Sequence, residues 1–293
     1  MRDDPPAASV YHRAVAGEDY RRVSYDVWQR MAEGWDRDRR WVWDASHAVG
    51  EWMIEALDPQ PGETILELAA GAGDTGLAAA AIVGDEGRLI STDFAPNMVD
   101  AARAESQRLG LSNVQARVLD AERMDLEDDS VDGVLCRWGY MLMAEPETAL
   151  HETRRVLHEG GRLALSVWSA PESNPWASVP GRLLREQTGA PPPDPTAPGI
   201  FAMADPERTR SLLTIAGFQV RRMEDVGLSW RFESFDGYWT FLNEHAGAIA
   251  VAIAVLPEED QRTLRARIEE AVEPYRTNGA YALPGLAQNT LAA

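Results

Sequence analysis

One short stretch of the chain constrains its fold more than any other. Residues 64–68 are an apolar run typical of a buried strand, Gly71 and Gly73 follow as a turn, and the alanine-rich segment 74–83 predicts a helix. Glycine permits a tight turn and lets a ligand approach the backbone amides closely. The helix that follows presents unpaired N–H groups and a positive dipole end. This stretch therefore predicts a site for the carboxylate or phosphate end of a nucleotide-like cofactor.

From residue 64 onward, apolar runs alternate with helical patterns. Further helices are predicted over 96–108 and 146–157. Strands are predicted over 64–68, 88–92, 114–119, 132–136, 161–168, from 217–220 onward and, weakly, over 286–291. Such alternation is typical of a mostly parallel sheet that is covered by helices on both faces. We therefore expect an α/β, Rossmann-like fold with a seven-stranded sheet, whose ligand lies beyond the carboxyl ends of the strands.

The segments around this core differ from it in character. Apolar and aromatic residues at helical spacing predict helices over 21–35 and 39–57, whereas 169–204 is rich in proline and 234–256 is rich in aromatic residues and alanine. Long insertions in a compact domain usually serve as lids. The predicted division is a helical cap (1–60), a cofactor-binding core (61–168), a lid insertion (169–204), a continuation of the core (205–233) and a helical insertion with the last strand (234–293).

Charge and cysteine content narrow the range of partners. The 293 residues include 47 Asp or Glu and 28 Lys or Arg, which gives a net charge of −19. A phosphate backbone or an anionic membrane would repel such a chain, so we expect neither nucleic acid nor a membrane as a partner. Cys136 is the only cysteine, and the first residues lack the apolar segment of a secretory signal. These features favour a reducing, cytoplasmic location.

Three acidic residues end three successive predicted strands: Glu67, Asp93 and Asp120. The run 71–76, with Asp93 beyond it, also fits a dinucleotide fingerprint, so a nicotinamide-dependent oxidoreductase is one hypothesis. Glu67 opposes it, because a carboxylate four positions before Gly71 would repel a pyrophosphate and attract a cationic cofactor. A carboxylate at Asp93 can accept hydrogen bonds from both hydroxyls of a ribose.

The run Glu67-x-x-x-Gly71-x-Gly73 resembles motif I of the class I S-adenosylmethionine (SAM) methyltransferases, and Asp93-Phe-Ala-Pro-Asn-Met98 is similar to their second motif. The block from Tyr25 to Trp168 resembles the ubiquinone/menaquinone-biosynthesis (UbiE-like) type of small-molecule methyltransferase. The resemblance implies SAM as cofactor and S-adenosylhomocysteine (SAH) as product. It implies that Phe94 and Met98 flank the adenine, that Asp120 accepts from the adenine amino group and that the backbone N–H of Ala121 donates to the ring. The implied cofactor-binding residues are Glu67, Gly71, Gly73, Asp93, Phe94, Met98, Asp120, Ala121 and Arg137.

The methyl group and its acceptor should meet where the fourth strand ends, at residues 136–141. The acceptor is expected to be a small, aromatic or polycyclic molecule that is methylated on oxygen, carbon or nitrogen. Its predicted contacts are Tyr25, Trp28, Trp35, Arg137, Trp138 and Tyr140. Arg137 would orient a carboxylate or phenolate, or form a salt bridge with a nearby acid. His245, in the second insertion, is the candidate general base if the acceptor must lose a proton early.

A sulfonium methyl is already activated, so the predicted mechanism is an in-line displacement that depends on alignment and on excluding water. No metal is expected, because the histidines and the cysteine lack ligand spacing. A non-catalytic SAM-binding module is a third hypothesis. It would be favoured if side chains of the lid filled the space beyond Arg137 and Trp138. A homodimer through the N-terminal helices or residues 234–275 is a further expectation.

Overall fold

The structure, a computed structural model, describes residues 18–293, so residues 1–17 of the predicted cap lie outside the described part. The helices in chain order are α1 (Glu18–Arg37), α2 (Arg39–Leu57), α3 (Asp74–Val83), α4 (Pro96–Arg108), α5 (Pro146–Val156), α6 (Pro175–Thr188), α7 (Pro206–Ile215), α8 (Phe235–Glu244), α9 (Ala248–Ala254) and α10 (Glu258–Val272). The strands are β1 (Thr64–Glu67), β2 (Arg88–Asp93), β3 (Val114–Val118), β4 (Val131–Arg137), β5 (Leu157–Trp168), β6 (Val220–Phe232), β7 (Arg276–Thr277) and β8 (Ala280–Ala292).

The strands form one sheet in the order β3-β2-β1-β4-β5-β8-β6, and the short β7 pairs with β8. Strands β1 to β5 pair with one another in parallel, whereas β8 runs antiparallel to both β5 and β6. Parallel strands buried on both faces need continuous apolar runs, and β1 meets this requirement with Ile65 and Leu66, which have no exposed surface. The predicted α/β, Rossmann-like fold is therefore confirmed, with the two-residue β7 as an unpredicted eighth strand.

The last strand is longer and more central than its sequence indicated. The weak prediction over 286–291 corresponds to β8, which covers Ala280–Ala292 and is bonded on both sides. Its polar residues Gln288, Asn289 and Thr290 are buried, and the Asn289 amide donates to the carbonyl of Val49 at 3.1 Å. Backbone bonds to two neighbouring strands stabilise β8, so its polar side chains did not prevent strand formation.

Both flanking regions fold over the carboxyl ends of the parallel strands. Helix α1 covers one side, where Val27 and Met31 pack against Ala250 of α9. Helices α8 and α9 form the second insertion, and α6 lies within the first. Among residues 18–293, no helix combines the length and apolar character that crossing a bilayer requires. The α1 and α8–α9 segments therefore act as a roof over the strand ends, where a ligand is expected.

Candidate active site

The glycine turn after β1 has two roles, one for each glycine. Gly71 (φ +55°) has open space where a β-carbon would stand, and its N–H donates to Oδ2 of Asp93 at 2.9 Å. Gly73 (φ +90°) packs against α4 instead, because a β-carbon there would stand 3.0 Å from the β-carbon of Ala102. Gly71 lines the cavity described below, whereas Gly73 does not. One glycine of the predicted turn therefore faces the cavity, and the other packs against α4.

Glu67 ties the turn to the sheet. Its Oε1 accepts from the N–H of Gly76 in α3 at 2.7 Å, and its Oε2 accepts from the Ser91 hydroxyl of β2 at 3.1 Å. Burial raises the pKa of this carboxyl to about 8, although these hydrogen bonds oppose the increase. Glu67 also lines the cavity. Its position allows it both to hold the turn and to face a cofactor.

Asp93 ends β2 at the edge of the same cavity. Its carboxylate accepts from the N–H groups of Gly71 and Ala95, each at 2.9 Å. Burial is the largest influence on this carboxyl and raises its pKa to about 6. Phe94 and Met98 line the cavity beside it, and Met98 is 1% exposed. The three residues lie together, as their spacing predicted.

Asp120 and Ala121 lie at the end of β3 and line the same cavity. The Asp120 Oδ1 accepts from the N–H of Glu122 at 2.9 Å, which fixes the turn. Glu122 is itself paired with Arg21 of α1. Glu67 and Asp93 end the adjacent strands β1 and β2, and Asp120 lies two residues beyond the end of β3, so all three are at one edge of the sheet.

One cavity of about 1180 Å³ extends from these carboxylates beneath the roof. Pockets for single drug-sized ligands span roughly 300 to 1,000 Å³, so this cavity has room for two molecules side by side. We call its two parts the cofactor half and the acceptor half, after the ligands that the sequence led us to expect there. The cofactor half is lined by Glu67, Gly71, Asp93, Phe94, Met98, Asp120 and Ala121. The acceptor half is lined by Trp138, Met141, Trp168, Trp176, Trp230, Phe241 and His245.

Arg137 lies where the two halves meet. Its Nη1 donates to the Ser46 hydroxyl at 2.9 Å, and its guanidinium lies 5.0 Å from the ring of Trp138 and 5.9 Å from that of Trp43. Among residues 18–293, no carboxylate forms an ion pair with Arg137, and burial lowers its pKa. The salt bridge considered from the sequence is therefore not formed, and this buried cation is available to a ligand anion.

Trp138 forms the floor of the acceptor half in an unusual backbone conformation. Its φ of +62° lies in the left-handed region, which a bulky side chain rarely adopts. The indole stacks on Trp168 at 4.3 Å, with an angle of 17° between the rings. Tyr140, which was predicted to contact the acceptor, lies outside the cavity: it is fully buried, and its hydroxyl is 2.6 Å from that of Thr153. The chain turns at Gly139, so Trp138 and Tyr140 point to different sides.

Several lining residues were not among the predicted site residues. Trp168 ends β5. Ligands bind beyond the carboxyl ends of parallel strands, so the reasoning that selected Asp93 and Asp120 also selects Trp168. Trp176, Trp230 and Phe241 come from α6, β6 and α8, and no local sequence signal marks them. Their rings contact one another, with Trp230 and Phe241 at 5.1 Å and Trp176 and Trp230 at 5.7 Å. The acceptor half therefore has flat aromatic walls.

The residues of α1 close the cavity from above. Tyr25 meets Phe94 edge to face at 6.1 Å, and Trp28 meets Trp35 in the same way at 6.2 Å. The Tyr20 hydroxyl donates to the carbonyl of Leu142 at 2.8 Å. Tyr25, Trp28 and Trp35 all line the cavity, as predicted for residues that cover a ligand. Tyr25 remains 37% exposed, which places it at the rim.

His245 follows α8 and lines the acceptor half. It stacks on Phe241 at 5.4 Å, and its side chain is 3% exposed. Its Nε2 lies 3.1 Å from Oδ2 of Asp38. Asp38, Glu244 and His245 could together surround a cation, but Arg37 donates to both carboxylates. We therefore interpret the group as an ion-paired cluster.

Comparisons with known proteins show what the chain is similar to. A family model described as a methyltransferase domain matches residues 59–187. The chain is 36% identical over 124 residues to the demethylmenaquinone methyltransferase of Clavibacter sepedonicus, covering 41% of this chain and 48% of that protein. It is 30% identical over 118 residues to the aklanonic acid methyltransferase DauC of a Streptomyces species, covering 40% of this chain and 54% of the relative.

A solved structure extends the similarity beyond the aligned core. A putative methyltransferase from Bacillus halodurans superposes with a TM-score of 0.58 at 19% identity, covering 83% of this chain and 97% of that one. At this identity the likeness concerns the fold. The matched regions span between 29% and 65% of the lengths of these curated relatives. The family match includes Trp138, Trp168 and Trp176 but not the roof segments α1, α8 and α9.

Proposed function

We propose that this protein is a class I SAM-dependent methyltransferase of the UbiE-like type, which transfers the methyl group of SAM to a small aromatic or polycyclic acceptor. The match of residues 59–187 to a methyltransferase-domain model and the relatives named as methyltransferases support this proposal. One observation carries the proposal. A single cavity joins the carboxylate-edged cofactor half to the aromatic acceptor half under a closed roof. Two reactants bound side by side would be aligned and shielded from water.

The residues of the cofactor half fit SAM. Open space at Gly71 and the N-terminus of α3 suit the amino-acid end of the molecule, while Asp93 suits the ribose hydroxyls and Asp120 the adenine amino group. Arg137 is a buried cation that has no carboxylate partner among residues 18–293 and donates to the Ser46 hydroxyl, so it suits the methionine carboxylate. Bound SAM supplies a methyl group on a sulfonium that needs no further activation.

The acceptor half supports a flat acceptor. Trp138, Trp168, Trp176 and Trp230 offer ring faces, and aromatic stacking adds about 0.5–1.5 kcal/mol per pair beyond area burial. The relative DauC acts on aklanonic acid according to its name, and demethylmenaquinone methyltransferase is named for a quinone precursor. We propose an acceptor of the same kind, an oxygenated ring system, for this chain.

Two alternatives are less well supported. A nicotinamide oxidoreductase lacks support from the comparisons, because the matching family model and the relatives named above are methyltransferases. A non-catalytic module would be favoured by an acceptor half filled with lid side chains, but the cavity continues past Arg137 and Trp138 to His245. An open acceptor half supports catalysis.

The proposal is tested by calorimetry of SAM, SAH and NADH with the purified full chain and with Asp93→Ala. Binding of the two sulfur nucleotides at micromolar concentration, lost in the variant, would support it. Transfer of label from methyl-labelled SAM to a panel of hydroxynaphthoates, hydroxyanthraquinones and phenols then tests the acceptor class. Binding of NADH alone would refute the proposed function.

Location and partners form part of the same proposal. The buried, unpaired Cys136 suits a reducing cytoplasm, and the net charge of −19 disfavours nucleic acid and anionic membranes. We retain the cytoplasm and a small-molecule partner on these grounds. A homodimer is tested by light scattering of the purified protein.

A further inference from the structure

We propose that Asp38 and His245 form a general-base pair, in which His245 removes a proton from a hydroxyl of the acceptor as that oxygen is methylated, and Asp38 positions the imidazole. The inference rests on the proposed methyl transfer and narrows it to hydroxyl acceptors. The two residues are far apart in the chain. Asp38 lies between α1 and α2, whereas His245 directly follows α8.

The first argument is location. His245 is the only histidine among the described residues that line the cavity, and the wall around it is aromatic. Its ring lies 6.0 Å from that of Trp35 and 6.5 Å from that of Trp41. Trp35 also packs near Ala95 and Met98 of the cofactor half. His245 therefore lies near the boundary between the two halves, where an acceptor atom must meet the methyl group.

The segment that carries Asp38 also contacts the cofactor half. The next residue, Arg39, donates to the carbonyl of Ala72 and, at 3.0 Å, to Oδ1 of Asp74. Ala72 and Asp74 belong to the glycine turn and to the start of α3. The Asp38–His245 pair is therefore one residue away from a direct contact with the loop expected to hold the amino-acid end of SAM.

The second argument is the chemical state of the pair. A hydrogen bond from Arg37 lowers the pKa of Asp38 and keeps it a carboxylate. Burial lowers the pKa of His245, although Asp38 opposes this effect, so the imidazole is neutral at pH 7. The charged groups that face it are Asp38 and Arg37 from the α1–α2 junction and Glu244 from α8, together with the carbonyl of Gly34. A neutral, oriented imidazole is the form that a general base requires.

The third argument is an unpaired nitrogen. Both ring nitrogens of His245 are buried without a hydrogen bond to any described residue, although Nε2 lies 3.1 Å from Oδ2 of Asp38. With the proton on Nε2, Nδ1 keeps its lone pair for an acceptor hydroxyl. Buried polar atoms are seldom left without a partner. A substrate hydroxyl at this wall would supply it.

The resulting step balances. The acceptor O–H bond breaks and its proton moves to Nδ1, while an oxygen lone pair forms the new bond to the methyl carbon. The electrons of the broken S–C bond stay on sulfur, which leaves SAH neutral at that atom. The imidazolium, held beside Asp38, later releases its proton to solvent. No metal ion or redox partner is required.

A purely structural clasp between α8 and the α1–α2 junction is the competing interpretation. NMR tests, without any acceptor, the tautomer that a general base requires, and the kinetics separate the two interpretations. In ¹⁵N-histidine-labelled full-length protein, long-range ¹H–¹⁵N spectra at neutral pH should show His245 neutral, with its proton on Nε2. Asp38→Asn should shift the tautomer balance and lower the His245 pKa further, because a negative charge is lost. A proton on Nδ1, or an imidazolium at neutral pH, would overturn the proposal.

Kinetics supply the second test, with 1,2-dihydroxyanthraquinone as probe and SAH calorimetry for every variant. We expect His245→Gln to lower kcat by about 100-fold and Asp38→Asn by about tenfold, in the range for a general base. SAH affinity should stay within about twofold. The acid limb of the wild-type pH profile should follow the His245 pKa measured by NMR. The matched controls are His151→Gln and Asp44→Asn, two exposed residues outside the cavity.

Each kinetic outcome is decisive. Wild-type rates in both Asp38 and His245 variants would overturn the proposal, as would a wild type that binds SAH but methylates no hydroxyl of the probe. In both cases the proposed function would stand, for an acceptor of another kind. Failure of the wild type to bind SAH would instead refute the proposed function itself.

Discussion

The carboxylate of Glu67 lies directly against Gly76. The glycine N–H donates to Oε1 at 2.7 Å, and a β-carbon on Gly76 would stand 2.2 Å from Oε2. This contact joins the end of β1 to the first turn of α3 and so determines the shape of the glycine turn between them. The absence of a side chain at Gly76 is thus a condition for the cofactor half to form.

Gly76→Ala should therefore destabilise the protein. Overpacking of a buried site costs about 1–3 kcal/mol, and displacement of Glu67 should also weaken SAH binding. Urea unfolding and calorimetry measure the two effects. The control is Gly181→Ala in α6, where the nearest atom to a new β-carbon is a flexible arginine end at 3.5 Å. The free energy of unfolding of Gly181→Ala should rise by up to about 1 kcal/mol. Equal changes in the two alanine variants would contradict the prediction.

Glu67 should make stability depend on pH. Burial raises its pKa from 4.5 to about 8, so between these values the folded protein holds a proton that the unfolded chain releases. Stability from this residue therefore falls as the pH rises through that window. Glu67→Gln, which remains neutral, should gain stability relative to wild type between about pH 5 and about pH 9. Thermal unfolding across this pH range measures the stability difference between Glu67→Gln and wild type, and the exposed Glu233→Gln is the control. A stability difference that does not change with pH would contradict the prediction.

Asp93 should make SAH binding depend on pH. Burial raises its pKa to about 6. As the pH falls through that value, the carboxyl protonates and loses acceptor capacity for the ribose hydroxyls, so the Kd should rise. Calorimetry between about pH 5 and about pH 8 should show this rise in wild type and in the exposed control Asp100→Asn. Asp93→Asn should bind weakly at every pH, and a variant that keeps the wild-type profile would refute the assignment.

Arg137 should recognise the amino-acid end of the cofactor. Loss of a charged hydrogen bond costs about 1.5–3 kcal/mol, so Arg137→Met should raise the Kd of SAH at least about tenfold. 5′-Methylthioadenosine lacks the amino acid, and its Kd should not change. Calorimetry with both ligands measures the effect, and the second ligand is the internal control. Unchanged SAH affinity would assign Arg137 to the acceptor instead.

The backbone of Trp138 should favour glycine over alanine. Its φ of +62° is left-handed, which costs roughly 1–2 kcal/mol for a residue with a β-carbon. Trp138→Gly and Trp138→Ala both lose the stack on Trp168, so their difference isolates the backbone term. We expect the glycine variant to be the more stable by about 1 kcal/mol in urea unfolding. A more stable alanine variant would contradict the strained conformation.

Local patterns in the sequence predicted well where the acidic residues after the strands would lie. The strand-end carboxylates Glu67, Asp93 and Asp120 meet at one edge, because parallel strands bring their carboxyl ends together. The same logic misplaced Tyr140, since the turn at Gly139 changes which side each following residue faces. It also underestimated the length of β8, because backbone hydrogen bonds to β5 and β6 stabilise this strand despite its polar residues.

The sequence by itself determined the parallel core and the edge of the sheet where the acidic residues lie. The hydrophobic periodicity, the turn glycines and the residues at the strand ends are each encoded within a few neighbouring positions. Tertiary structure alone decided the acceptor half. Trp138 meets Trp168, and Asp38 meets His245, only after segments distant in the chain pack together. Such contacts depend on how the roof helices pack on the sheet, and the spacing of residues within a short stretch of sequence does not specify that packing.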